Sequence, residues 1–170
     1  MELTINRGAV HCVVGAPGLG KTWFGLGVAA EFLKADEEVT WFCWSCPPSP
    51  DSAATCIARL YQRLGLLGVG DRISRFHHYP NPPANWWPFK PYETSPTGLI
   101  VLDGMTAEHD NMAYVKPFHT TVPTATVLVT MSFRPGAERP EKPAQAPILG
   151  GSVVTLGATV DPTQDVFRIV

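Results

Sequence analysis

The sequence predicts an α/β fold: a mostly parallel sheet with helices on both faces and an antiparallel extension at its C-terminal end. Three observations carry this. Strand-like and helix-like patterns alternate along the first hundred residues or so, as in a sheet built by crossover connections. A glycine-rich turn joins the first strand to the first helix. Beyond residue 150 the pattern is strand-like without an intervening helix.

The elements follow in order. Ala9–Val14 is a short apolar run ending at glycine, suited to a buried strand. Trp23, Leu26, Gly27, Ala30 and Leu33 recur at i, i+3, i+4, i+7 and i+10, the stripe of an amphipathic helix. Val39–Cys46 is β-branched and aromatic and predicts the second strand. Asp51 is placed to cap a second helix with Ala53, Cys56, Ile57, Leu60 and Leu64 on one face, and Gly65 to end it. Arg72–His77, Leu99–Leu102 and Thr126–Met131 predict three further strands. Ser152–Val160 and Asp165–Val170 read as a closing pair.

The 170 residues suit one domain spanning 1–170, with 45% hydrophobic and 16% charged residues. The formal charge of −2 excludes a polybasic nucleic-acid coat, so any DNA contact has to come from a local patch. No apolar run reaches 18 residues, and Met1–Arg7 lacks the layout of a secretory signal, which predicts a cytoplasmic protein with no membrane span. Cys12, Cys43, Cys46 and Cys56 lie in apolar surroundings and predict free thiols in a reducing compartment rather than a disulfide framework. Ten of the 17 prolines crowd two segments, 80–96 and 135–147, which excludes central strands or long helices there.

Gly15-Ala16-Pro17-Gly18-Leu19-Gly20-Lys21-Thr22 matches the phosphate-binding pattern G-x-x-x-x-G-K-[ST]. Its glycines let successive backbone N–H groups turn around an anion where a Cβ would obstruct it. The following helix points its positive end at the same place. Lys21 then reaches the β- and γ-phosphates, and the Thr22 hydroxyl reaches Mg²⁺. Leu99–Leu102 followed by Asp103 supplies a carboxylate at the end of a strand, placed to order the metal shell.

This order of parts resembles the RecA-like ATPase family, particularly its compact RepA- and DnaB-type replicative helicase branch and related phage proteins. Arg7-Gly8-Ala9-Val10 leading into Gly15–Thr22 resembles the entry to that family's Walker A motif. Leu99–Asp103 with Gly104-Met105-Thr106 resembles its Walker B strand and turn. Thr126–Ser132, the loop Phe133–Pro147 and Gly150-Gly151-Ser152 resemble its strand, mobile DNA-contacting loop and restart. The resemblance implies a RecA-like P-loop NTPase core that binds ATP and Mg²⁺. It implies work in DNA replication or recombination as a homo-oligomeric ring or filament on single-stranded DNA.

The sequence also departs from the family. Where members carry a catalytic glutamate after the second strand, Trp41–Cys46 holds no carboxylate and Ser45 takes the position. Met131 and Ser132 stand where members place Gln or His. Lacking a general base costs about 10²–10⁴-fold in rate, which predicts nucleotide binding with weak hydrolysis. Glu108 is the candidate substitute that orients water, against the reading of Glu108 and Asp110 as a polar helix-capping turn. Two other functions stay open: a nucleotide-gated binding protein with little hydrolysis, and a small-molecule P-loop kinase.

The remaining features are weaker. Cys43-x-x-Cys46 has no second Cys pair, and on one strand the two would face opposite sides, so packing is expected over zinc or redox chemistry. His77 and His78 precede the segment Trp86-Trp87-Pro88-Phe89-Lys90, expected to fold over the sheet, with oligomer contact and base stacking as alternatives. Arg134, Arg139 and Lys142 are candidates for DNA contact through repeated loops. With Arg168 they are also candidates to complete a neighbour's phosphate site.

Overall fold

The computed structural model describes residues 2–46, 49–81, 97–106, 124–132, 153–156 and 166–170. In chain order these form β1 (Glu2–Ile5), β2 (Val10–Gly15), α1 (Lys21–Lys34), β3 (Glu38–Cys43), α2 (Pro50–Leu66), a 3-10 turn (Gly70–Arg75), β4 (Phe76–Pro80), β5 (Thr97–Thr106), β6 (Thr126–Ser132), β7 (Val153–Thr155) and β8 (Val166–Ile169). Six strands make one parallel sheet in the order β4-β3-β5-β6-β2-β7, and β1 pairs with β8 in a separate parallel ribbon.

Strand alternation sorts the apolar residues onto two faces. Val13, Val39, Trp41, Leu99, Val101 and Leu128 join one cluster, which α1 and α2 cover with Phe24, Leu26, Phe32, Leu33, Leu60 and Leu64. Val10, Val14, Phe42, Ile100, Leu102, Val127 and Val129 form a second cluster on the opposite face. Burying each such side chain contributes about 1.5–3 kcal/mol. Helix α1 lies close to the sheet because a Cβ at Gly25 would come within 2.9 Å of the Trp41 ring. Both described helices pack on the first face, so the expected helices on both faces are not seen among the described residues.

Several expectations are corrected. No antiparallel extension is present among the described residues: β7 runs parallel to β2, and β8 runs parallel to β1 rather than pairing with β7. Strand β1 is an addition to the expected elements; Glu2-Leu3-Thr4-Ile5 alternates polar and apolar residues, and Leu3 and Ile5 pack against the first cluster. The segment expected as a strand over Arg72–His77 begins as the 3-10 turn, and the strand runs over Phe76–Pro80. Arg72 is the reason, because its guanidinium donates to the carbonyls of Leu33 and Lys34 and to Asp36 at 2.7–3.1 Å, capping α1. The cap of α2 is Ser49, which accepts from the Ser52 N–H at 3.2 Å, with Pro50 and Asp51 in the first turn. Helix α2 also passes Gly65 and ends at Leu66, with Gly68 taking the left-handed conformation.

His11 on β2 is buried, and its Nε2 lies 3.1 Å from the Asn6 carbonyl. Burial lowers its pKa from the ordinary 6.5, against a smaller opposing effect of that carbonyl. The unfolded chain therefore takes up this proton first, and stability falls as pH drops below about 6.5. In His11→Gln this part of the slope should vanish, measured by urea unfolding of both chains between pH 7.5 and about 5.

Candidate functional site

The site lies at the carboxyl ends of the central strands, where ligands bind in open parallel sheets. Strand β2 delivers the chain into Ala16–Gly20, and α1 starts at Lys21. Gly20 has φ 84°, a left-handed conformation that other residues adopt at a cost, and it precedes the first turn of α1. That first turn has no side-chain cap and no acidic residue, so its N–H groups and positive dipole end remain directed at the loop. Gly18 has φ 83°, and nothing lies within 4 Å of where its Cβ would be.

Lys21 is buried, and its ammonium donates to the carbonyls of Gly15 at 3.0 Å and Ala16 at 2.7 Å. Burial lowers its pKa, while the charge of Asp103 acts in the opposite direction. The loop therefore holds a desolvated cation at its mouth.

Asp103 reaches the same place from two strands away. Strand β6 separates β5 from β2, and the β5–β6 register shifts between Leu102 and Met105. Two residues of β5, Asp103 and Gly104, thus face the single Thr130 of β6, a β-bulge. Alternation from Leu99 and Val101 points Asp103 toward α1, and the bulge shifts the phase of the strand beyond it, so that Met105 joins the second cluster. Gly104 is required here, since its φ is 82° and a Cβ would come within 2.8 Å of Ser45.

The Asp103 carboxylate is buried. It accepts from Thr130 Oγ1 at 2.7 Å and from Thr22 Oγ1 at 3.1 and 3.2 Å. Gly104 N–H donates to Thr130 Oγ1 at 2.9 Å, which orients that hydroxyl toward the carboxylate. Burial raises the Asp103 pKa, and the two hydroxyls, Lys21 and Arg63 oppose the shift.

Two adjoining clefts open onto these groups. One, of about 570 Å³, is lined by Pro17, Gly18, Gly20, Lys21, Asp103 and Thr130, among others. The other, of about 450 Å³, runs along α2 past Asp51, Thr55, Arg59 and Cys56. Thr22, Ser45, Arg63 and Asp103 line both. Besides Asp103, Asp51 is the only carboxylate lining them among the described residues.

The structure therefore brings together Gly15, Ala16, Pro17, Gly18, Leu19, Gly20, Lys21, Thr22 and Asp103, all singled out in the sequence. Arg168 is exposed on β8 opposite Thr4 and lines neither cleft. Glu108, Asp110, Arg134, Arg139, Lys142 and the segment Trp86–Lys90 lie outside the described residues. Sequence reasoning missed Thr130 and Arg63. The guanidinium of Arg63 stands 4.8 Å from the centre of the Trp23 ring and faces both clefts. Its signal was the pair Arg59 and Arg63, spaced i, i+4 on α2.

The cysteines are also corrected. Strand β3 stops at Cys43, so alternation does not extend to Cys46, and the two sulfurs lie 2.7 Å apart instead of on opposite faces. Cys46 is bonded to Cys56 rather than free. Burial, with Asp103 adding, pushes the Cys43 thiol up to about 11.

No family model matches the chain, and no curated protein matches it.

The bulge and its hydrogen bonds lead to two expected outcomes. Thr130→Val removes a donor to a buried carboxylate and leaves Gly104 N–H without its acceptor. It should cost about 1.5–3 kcal/mol, read as a lower urea midpoint at unchanged slope. Asp103 has a folded-state pKa raised above its ordinary 3.8. The charged form is therefore the costly one, and stability is lost as pH rises through the raised value. Asp103→Asn should be more stable than the natural chain at pH 7, with this pH dependence removed, as thermal melts at several pH values would register.

Proposed function

We propose that the chain is a P-loop nucleotide-binding protein of the RecA-like class that binds ATP with Mg²⁺. The observation that carries this is the meeting of Lys21, Thr22 and Asp103 at one cleft, with Thr130 holding the carboxylate in place. The uncapped first turn of α1, which holds no acidic residue, and the buried ammonium of Lys21 give the loop its donors, with Asp103 across the cleft as the nearby carboxylate. That donor set fits a polyphosphate. A hydroxyl hydrogen-bonded to a buried carboxylate fits a hard divalent cation, which prefers oxygen ligands.

In this reading the backbone amides of Gly18–Thr22 and the Lys21 ammonium hold the phosphates, and Thr22 Oγ1 and Asp103 hold the cation and its waters. When bound, Mg²⁺ supplies positive charge that offsets what builds up on the phosphate oxygens. Arg63 approaches from α2 as a second cation on the far wall of the cleft. Trp23, beneath its guanidinium, restricts where it can go.

Hydrolysis is the weaker part of the activity. Ser45 lines the cleft where a general base is expected, and a hydroxyl at neutral pH does not take a proton from water as a carboxylate does. The reading is therefore a tight nucleotide switch with slow turnover. On the family resemblance, it works in DNA replication or recombination within a homo-oligomer that contacts single-stranded DNA. A small-molecule kinase is the alternative, in which an acceptor would sit in the cleft along α2 against Asp51 and Arg59.

Titration with a fluorescent ATP analogue in millimolar Mg²⁺ tests this. Saturable binding is expected, and Lys21→Ala should weaken it by at least about tenfold through loss of a charge-assisted phosphate contact. Phosphate release should stay slow with or without single-stranded DNA. Absence of saturable binding in the natural chain would overturn the reading.

A further inference from the structure

A second cluster of chemically capable side chains sits beside the cleft and takes no part in the nucleotide site. Cys43 ends β3, Cys46 lies in the turn that follows, Cys56 sits in the second turn of α2, and His78 is on β4. Their meeting follows from the register. Trp41 pairs with His78, so His78 shares the face of Trp41 and Cys43, the face that α2 covers. The turn after β3 then brings Cys46 back over that face, with Cys46 buried and Cys56 packed against the first cluster.

The four donor atoms all lie within 4.8 Å of one another. Cys43 Sγ stands 3.9 Å from Cys56 Sγ and 2.7 Å from Cys46 Sγ, and His78 Nε2 stands 3.8 Å from Cys46 Sγ. Cys46 and Cys56 are joined as a disulfide. A disulfide needs two sulfurs, and it gives no reason for a third sulfur and an imidazole nitrogen from two other elements to converge on it. Apolar packing of cysteines likewise gives no reason for a ring nitrogen to point at them. Three sulfurs and one nitrogen are, however, a complete tetrahedral ligand set for zinc. With Zn–S bonds of about 2.3 Å the S···S edges of such a tetrahedron are about 3.8 Å, close to the Cys43–Cys56 separation, and Cys46, now bonded to Cys56 and 2.7 Å from Cys43, would move outward by about 1 Å once reduced.

We propose that the reduced chain binds one Zn²⁺ through Cys43, Cys46, Cys56 and His78, as a structural site clamping α2 to the ends of β3 and β4. All four positions are protein ligands, which leaves no open position for chemistry and marks the site as structural. In forming it, three thiols lose their protons to solvent and the imidazole binds as the neutral base. The disulfide and the metal site are alternative states of the same sulfurs. An added dithiol that reduces Cys46–Cys56 is itself oxidised to a disulfide, and the two released thiols become ligands.

The clamp has a position relevant to its neighbours. Ser45 lies between two of the ligands and lines both clefts, and Arg63 is seven residues beyond Cys56 on the same helix. The inference does not rest on nucleotide binding and is tested without nucleotide.

The full chain, reduced with dithiothreitol and dialysed against Zn²⁺ or Co²⁺ under argon, should retain one ion per chain by elemental analysis. The Co²⁺ form should show thiolate-to-metal charge transfer and the intense visible bands of a tetrahedral site. Alkylating the thiols should release the ion to a chromogenic chelator. His78→Ala and Cys43→Ser should each lose stoichiometric binding, while Cys12→Ser, on the opposite face, should retain it. Retention of well under one ion by the reduced natural chain would overturn the proposal, as would a weak octahedral Co²⁺ spectrum. Because both readouts are taken on the natural chain, a variant that fails to fold leaves the test intact.

Discussion

The buried carboxylate of Asp103 is the point on which the rest of the site depends. A charge taken out of water has to find donors, and Asp103 finds the hydroxyls of Thr130 and Thr22. These donors come from β6 and from the first turn of α1, so one anion ties together the strand beside it, the helix that follows the phosphate loop, and its own strand β5. Its main chain adds a fourth tie, since Trp44 N–H donates to the Asp103 carbonyl at 2.9 Å and fixes the turn after β3. Burial that disfavours the charged form is opposed only in part, first by the two hydroxyls and then by Lys21 and Arg63, the cations that face the cleft. The fold thus keeps a carboxylate at a cost to stability, an arrangement more often found where the charge has a function.

The loop and Asp103 were legible in the sequence because their chemistry is written in consecutive residues. Eight residues with fixed glycines, lysine and threonine identify the phosphate loop, and an apolar strand ending in aspartate identifies its partner. Thr130 was not legible. Its importance comes from β6 lying between β2 and β5, an ordering of strands that no local pattern encodes. Arg63 was visible only as one of two arginines a helical turn apart, and it gained a role when α2 docked on the face of α1.

The same distinction explains the errors. Val39–Cys46 suggests one strand by composition, but β3 ends at Cys43, where the N–H groups of Trp44 and Asn81 donate to the Asp103 and Cys43 carbonyls. Past that point two-residue alternation says nothing about where a side chain points. The direction of the closing strands was likewise hidden, because three or four apolar residues suit either orientation and only the connection decides. Arg72–His77 looked extended by composition, yet Arg72 is drawn to the carbonyl end of α1, which curls the segment before β4 begins.

The order in which the strands lie has a consequence for how the protein is made. Strand β2, which feeds the phosphate loop, is flanked by β6 and β7, and Leu156 N–H donates to the carbonyl of Val14. β1 waits still longer, for residues 166–169. On the ribosome the loop would therefore emerge before either neighbour of its strand was made. Contacts so distant along the chain form slowly. A nascent chain would carry an exposed, apolar β2 until β6 and β7 had followed it out of the exit tunnel, an interval in which chaperones have something to hold.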